Sequence, residues 1–198
     1  MLYNFLFPLA DDFAIFNLFR YLTFRTGGAV MTALLISFLM GPMVINWLKN
    51  KQHRGQPIRD DGPQSHIIAK QGTPTMGGFL ILLALGIGTV LWADLTNQFV
   101  WAVLLVTLGF GAIGFADDYA KVTKQTTAGV SGEVRLSLGF LISGVAGYIA
   151  STNHPEALQF QLALPVFKDT LLNLGYIFIP FAMIVIVGSA NAVNLTDG

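Results

Sequence analysis

Five stretches of this chain are apolar for about as long as a helix needs to be to cross a lipid bilayer, roughly 20 residues, and that limits its fold more than anything else in it. They are TGGAVMTALLISFLMGPMVINWL (26–48), MGGFLILLALGIGTVLWA (76–93), QFVWAVLLVTLGFGAIGFA (98–116), LSLGFLISGVAGYIAS (136–151) and TLLNLGYIFIPFAMIVIVGSANAVNLT (170–196). In hydrocarbon the backbone must satisfy its own N–H and C=O groups, so each is expected to be a helix. No polar helical face alternates with them, as it would in the buried helices of a water-soluble core. With 54% hydrophobic and only 11% charged residues, the chain reads as all-α: a polytopic transmembrane helix bundle of about five spans, one integral membrane domain over residues 1–198. The N-terminal MLYNFLFPLADDFAIFNLFR has no basic residue before Arg20, and Asp11 and Asp12 interrupt its apolar run. A cleavable signal is therefore not expected there, and an amphipathic segment at the membrane interface is.

The basic residues give an orientation. With five spans, loops 49–75 and 117–135 share one side of the membrane with the end of the fifth span. That side holds Lys49, Lys51, Arg54, Arg59, Lys70, Lys121, Lys124 and Arg135, against Arg20, Arg25 and Lys168 on the other. Eight against three places these loops in the cytoplasm. Acidic residues balance basic ones at eleven each, so no electrostatic footprint for nucleic acid is present. Cysteine is absent and the three histidines show no zinc spacing, which excludes disulfides and thiolate metal sites.

Within this frame the stretch FADDYAKVTK (115–124) places Asp117 and Asp118 side by side at the end of a span. If the helix runs on, Asp117 and Lys121 form an ordinary i,i+4 pair. If it stops at Tyr119, two negative charges oppose the helix dipole and repel each other, and a divalent cation bound through one or two carboxylates and substrate phosphates would relieve both. A second cytoplasmic feature is AKQGTPTMGG (69–78). Thr73 followed by Pro74 predicts an N-cap and first helical position for the second span, with Lys70 near the helix N-terminus as a point charge for phosphate; a plain structural cap beside a positive-inside lysine explains the same residues. The third is SANAVNLTDG (189–198), where Asn191 and Asn194 share a helical face in an apolar stretch and are expected to meet other helices or a polar ligand rather than lipid. A cation-coupled transporter would also keep aspartates in membrane helices, but near the midplane and between repeats. Here they gather at one surface and no internal repeat is evident.

Taken together, RDDGPQSHIIAKQGTPTMGG, GFADDYAKV and NAVNLTDG, in that order and at these separations, closely resemble the polyprenyl-phosphate N-acetylhexosamine-1-phosphate transferases, and among them the phospho-N-acetylmuramoyl-pentapeptide-transferase family. The likeness runs from about Tyr21 to Gly198 and matches only the N-terminal portion of that family, whose members continue with further spans, another essential aspartate and a histidine-rich cytoplasmic loop. The chain is accordingly expected to be the N-terminal part of a longer transferase, inactive alone. The resemblance implies a multi-pass protein of the bacterial inner membrane that transfers phospho-N-acetylmuramoyl-pentapeptide from its UDP conjugate to undecaprenyl phosphate, giving the first lipid intermediate of peptidoglycan synthesis and UMP. It implies Mg2+ as cofactor. Carried over by motif, Asp117 and Asp118 are the catalytic pair, with Asp117 deprotonating or orienting the lipid phosphate and Asp118 holding the metal-diphosphate assembly. Asp197 takes a metal or nucleotide role, and Lys70, Thr75 and Asn194 line the cytoplasmic cleft. The sequence departs from the family after the aspartates, where TTAGVSGEVRL has Ala128 and Glu133 at commonly basic positions and keeps Arg135. Homodimer formation is neither required nor excluded by the sequence.

Overall fold

A computed structural model describes residues 1–52, 74–126, 128–164, 167 and 170–197, the last four without their side chains. Its long elements are helices: α1 (Leu2–Leu6), α2 (Leu22–Lys51), α3 (Gly78–Trp92), α4 (Gln98–Lys124), α5 (Gly132–Thr152) and α6 (Phe178–Asp197), with short 3-10 turns at Phe7–Asp11, Ala14–Arg20, Glu156–Leu158 and Gly175–Ile177. Two three-residue strands, β1 (Gln161–Ala163) and β2 (Leu171–Asn173), pair antiparallel with Leu162 opposite Leu172. Four helical segments, Leu22–Lys51, Gln98–Lys124, Gly132–Thr152 and Gly175–Val193, are long and apolar enough to cross a membrane. This is a multi-pass, all-α membrane architecture.

Three span boundaries differ from the sequence reading. The second helix opens at Gly78 with Gly77 as N-cap, not at Pro74; Met76 takes a left-handed backbone, φ 71°, which breaks helical continuity before it. At 15 residues, α3 is about 22 Å long, short of a hydrocarbon core of about 30 Å. The fourth span, 16 residues by apolar composition, extends through Gly132–Thr152 because the polar residues at its N-terminal end carry on the helix. The fifth is shortened, since residues 171–173 pair as a strand and the α-helix starts at Phe178. Pro180 then falls in its first turn, where the missing N–H has no helical acceptor.

Residue contacts resolve two compact units: Met1–Leu95 with Gly111–Ser131, and Thr96–Phe110 with Gly132–Gly198. In the first, α2 packs on α3 through small residues. A Cβ at Gly88 would stand 3.1 Å from the Ala29 carbonyl oxygen, and the Trp92 ring covers Gly28 while its indole N–H donates to Thr32 Oγ1 at 2.9 Å. Leu82 of α3 fills the space that Gly111 leaves on α4, and Phe79 meets Phe115, centroids 5.9 Å apart. The N-terminal turns lie against the same pair of helices: the Met1 ammonium donates to the carbonyls of Val90 and Ala93 at the end of α3, and Asn4 donates to Asp94.

In the second unit α5 presents Gly139, Ser143, Gly147 and Ser151, all buried, at four-residue intervals. A Cβ at Gly147 would lie 3.2 Å from the Ala182 methyl of α6, and one at Gly144 would lie 3.4 Å from Met183 Sδ. Large apolar side chains point outward instead, Leu141 of α5 and Ile184 of α6 at 64% and 66% exposure. That distribution suits a lipid surround, where apolar bulk gains nothing by hiding and close backbone approach supplies the dispersion energy.

Candidate functional site

The polar groups of the first unit collect where α2 ends, α3 begins and α4 finishes. α4 does not stop at Tyr119 but continues to Lys124, so the carboxylates lie nearly two turns inside the helix and the dipole objection to them lapses. Asp117 Oδ2 pairs with Lys121 Nζ at 2.7 Å, the i,i+4 pair allowed by the sequence. The face is not a solvated one, because Asp117 is only 7% exposed. Its Oδ1 accepts the Val130 backbone N–H at 2.8 Å, and Gly129 is pressed so closely on the carboxylate that a Cβ there would collide with it. Lysine and amide together supply the compensation that a buried carboxylate needs.

Asp118, one residue on and so about 100° around the helix, has different partners. Thr75 Oγ1 donates to its Oδ2 at 2.9 Å; among the described residues no hydrogen bond is made to Oδ1. Thr75 is itself held from α2. Its backbone N–H donates to Gln52 Oε1 at 2.9 Å, and Gln52 Nε2 donates to its carbonyl at 3.2 Å. Asp117, Asp118 and Thr75 lie near one another, and each carboxylate has its own set of partners rather than a common one.

Lys70, with Thr73, His53 and His66, lies outside the described residues. Asn194 and Asp197 belong to the last two turns of α6, in the second unit, and their side chains are likewise outside what is described. Asn191 donates to Val187 O on its own helix and is exposed, so its amide turns back on α6 instead of reaching another helix. The sequence reading missed Gln52 and the Gly129–Val130 backbone. No residue-type signal marks them, since both act on or through main-chain groups far away in sequence.

Among the described residues no cluster of three or more His, Cys, Asp or Glu could hold a metal. Two carboxylates do fit a hard divalent ion that takes most of its ligands from water and phosphate oxygens, and Asp118 Oδ1 is the donor with capacity to spare. An all-protein cage is not what these residues build.

Apolar helices long enough to cross a membrane, with a carboxylate pair and a hydroxyl beside them, define a multi-pass membrane protein. The glycosyl transferase family 4 model matches residues 100–198, half of the chain, and the chain belongs to that family. Residues 70–82 match the phospho-N-acetylmuramoyl-pentapeptide-transferase signature 1. Proteins of that name from Ruegeria sp. (strain TM1040) and Maricaulis maris (strain MCS10) are similar to it, 64% identical over 96% of this chain and 56% over all of it. These alignments take in 52% and 55% of the two relatives, so the chain spans about half the length of the curated relatives it matches, their N-terminal half.

Proposed function

We propose that this chain forms the N-terminal half of the catalytic apparatus of a phospho-N-acetylmuramoyl-pentapeptide-transferase in a bacterial inner membrane, with its site facing the cytoplasm. The substrates are UDP-N-acetylmuramoyl-pentapeptide and undecaprenyl phosphate. An oxygen of the lipid phosphate attacks the sugar-linked phosphorus of the diphosphate, the bridging P–O bond to the nucleotide breaks, and UMP leaves. Such transfers need positioning and charge neutralisation more than covalent help from the protein. Asp117 orients the lipid phosphate and receives its proton where one is present, with the Lys121 ammonium balancing charge. Asp118, aimed by Thr75, would be the residue that holds Mg2+, and that ion would supply neutralisation of the charge developing on the diphosphate. By motif, Lys70, Asn194 and Asp197 are assigned to binding of the nucleotide-sugar, and Asp197 also to the metal.

The observation that carries this reading is Asp118: a half-buried carboxylate fixed through one oxygen by Thr75, with no hydrogen bond to the other among the described residues, beside a second carboxylate already matched to a lysine. The test is Mg2+-dependent UMP release from the two substrates, measured on this chain and on one extended through the second half found in its relatives. The extended protein is expected to turn over and this chain alone to be inactive. Full UMP release by Asp117→Asn and Asp118→Asn variants of the extended protein would overturn the assignment.

A further inference from the structure

We infer that Gln52 is a positioning residue: through Thr75 it sets the direction in which Asp118 presents its uncommitted oxygen. The inference rests on the proposed role of Asp118. Gln52 is where α2 ends, its N–H still bonded to Leu48 O at 2.9 Å, and it is 8% exposed. A buried primary amide has to place both its donor and its acceptor, and this one places both on a single residue, Thr75. The pair of bonds copies a strand-to-strand bridge.

The chemistry required is narrow. A side chain must offer N–H and C=O from one planar group at the reach of two methylenes. Asparagine is too short, ionised glutamate has no donor, and methionine fills the space with neither.

The described residues that follow Thr75 do not do this job. The α3 helix starts only at Gly78, and Met76 next to Thr75 sits in the left-handed region that non-glycine residues avoid. Among the described residues nothing helical therefore fixes the Thr75 backbone, and without the Gln52 bridge its Oγ1 would swing more freely about Asp118. With the bridge in place the threonine hydroxyl holds Asp118 Oδ2 at 2.9 Å, and rotation of that carboxylate is limited. Three segments are tied in series: the end of α2 through Gln52, the entry to α3 through Thr75, and the body of α4 through Asp118, all within the first unit.

The test is a double-mutant cycle in the extended transferase, with rates expressed per folded molecule. Gln52→Met is expected to lower kcat about tenfold while KM for the uridine-diphosphate sugar moves by less than about twofold, the pattern of an interaction realised in the transition state. Thr75→Val is expected to lower kcat similarly, Thr75→Ser to keep it within about twofold, and the Gln52→Met/Thr75→Val double variant to fall no further than the larger single one, because both cut the same series. Gln52→Asn, which keeps both groups but withdraws them, serves if the methionine variant does not fold, with the same loss confined to kcat. Wild-type kcat in the Gln52 variants alongside an inactive Asp118→Asn overturns the positioning role alone. Losses that multiply in the double variant overturn it too, since a residue that merely staples helices would act independently of the Thr75 hydroxyl. Retained turnover in Asp118→Asn overturns the reading of the site itself.

Discussion

Because Asp117 is nearly buried while Lys121 retains 22% of its side-chain exposure, the two ends of their ion pair are unequal partners. Lys121→Met strands a carboxylate away from water, short of its cation. Asp117→Asn leaves an ammonium on a long stem that can reach out to solvent, and the new amide oxygen can still accept the Val130 N–H. Lys121→Met is therefore expected to cost about 1–3 kcal/mol and Asp117→Asn clearly less, read as thermal midpoints of detergent-solubilised protein; equal shifts would show that the pair is not desolvated. Gly129 extends the argument to the loop. A methyl there would collide with the carboxylate, so Gly129→Ala must move either Asp117 or the Val130 amide. The expected result is a fall in kcat of about tenfold or more in the extended transferase, with a smaller effect on melting than Lys121→Met. A Gly129→Ala protein with unchanged kcat would remove Asp117 from the chemistry.

At the scale of elements, the site depends on α2 and α3 keeping their close approach, since one carries Gln52 and the other follows Thr75. Gly88 has 3.1 Å between an added Cβ and the Ala29 carbonyl, a gap that a few tenths of an ångström of adjustment can open. Gly88→Ala should accordingly be tolerated within about 1 kcal/mol, whereas Gly88→Leu forces the backbones apart and should cost about 1–3 kcal/mol or more, with kcat falling in parallel as Thr75 retreats. Undiminished stability in Gly88→Leu would mean that this contact does not hold the helices. The existence of these helices was legible in the sequence, because bilayer-length apolar runs admit no other secondary structure. Their ends were less so. Thr73–Pro74 has the form of a helix start, yet Met76 interrupts it, and strands of three residues such as Leu171–Asn173 vanish inside an apolar run. Asp117, Asp118 and Thr75 could be found because charge and polarity are conspicuous beside apolar spans; Gln52 could not, as its partner is a backbone 23 residues away.

For the whole molecule, the proposed chemistry makes a demand that no single residue can satisfy: a lipid phosphate and a soluble nucleotide-sugar must reach the site from the membrane and from the cytoplasm. The excess of lysine and arginine over residues 49–75 and 117–135 is the sequence's argument for a cytoplasmic face by the positive-inside rule, and that argument depends on the number of crossings. α3 is the weak point in that number. At 15 residues it crosses only if the non-helical entry at 74–77 adds length or the bilayer thins around it. α5, by contrast, has 21 residues, about 31 Å at 1.5 Å each, and its two ends should therefore lie on opposite sides. The absence of cysteine makes this direct to measure: Glu133→Cys in the first turn of α5 and Asn153→Cys just past its last residue, both at exposed positions, should react with a membrane-impermeant maleimide from opposite faces of oriented vesicles. Residue 133 should be protected in intact cells and labelled in inverted membranes. Labelling of both from one face would mean that α5 does not cross, and the end of α6 that carries Asp197 would then lie on the opposite face from the aspartate pair.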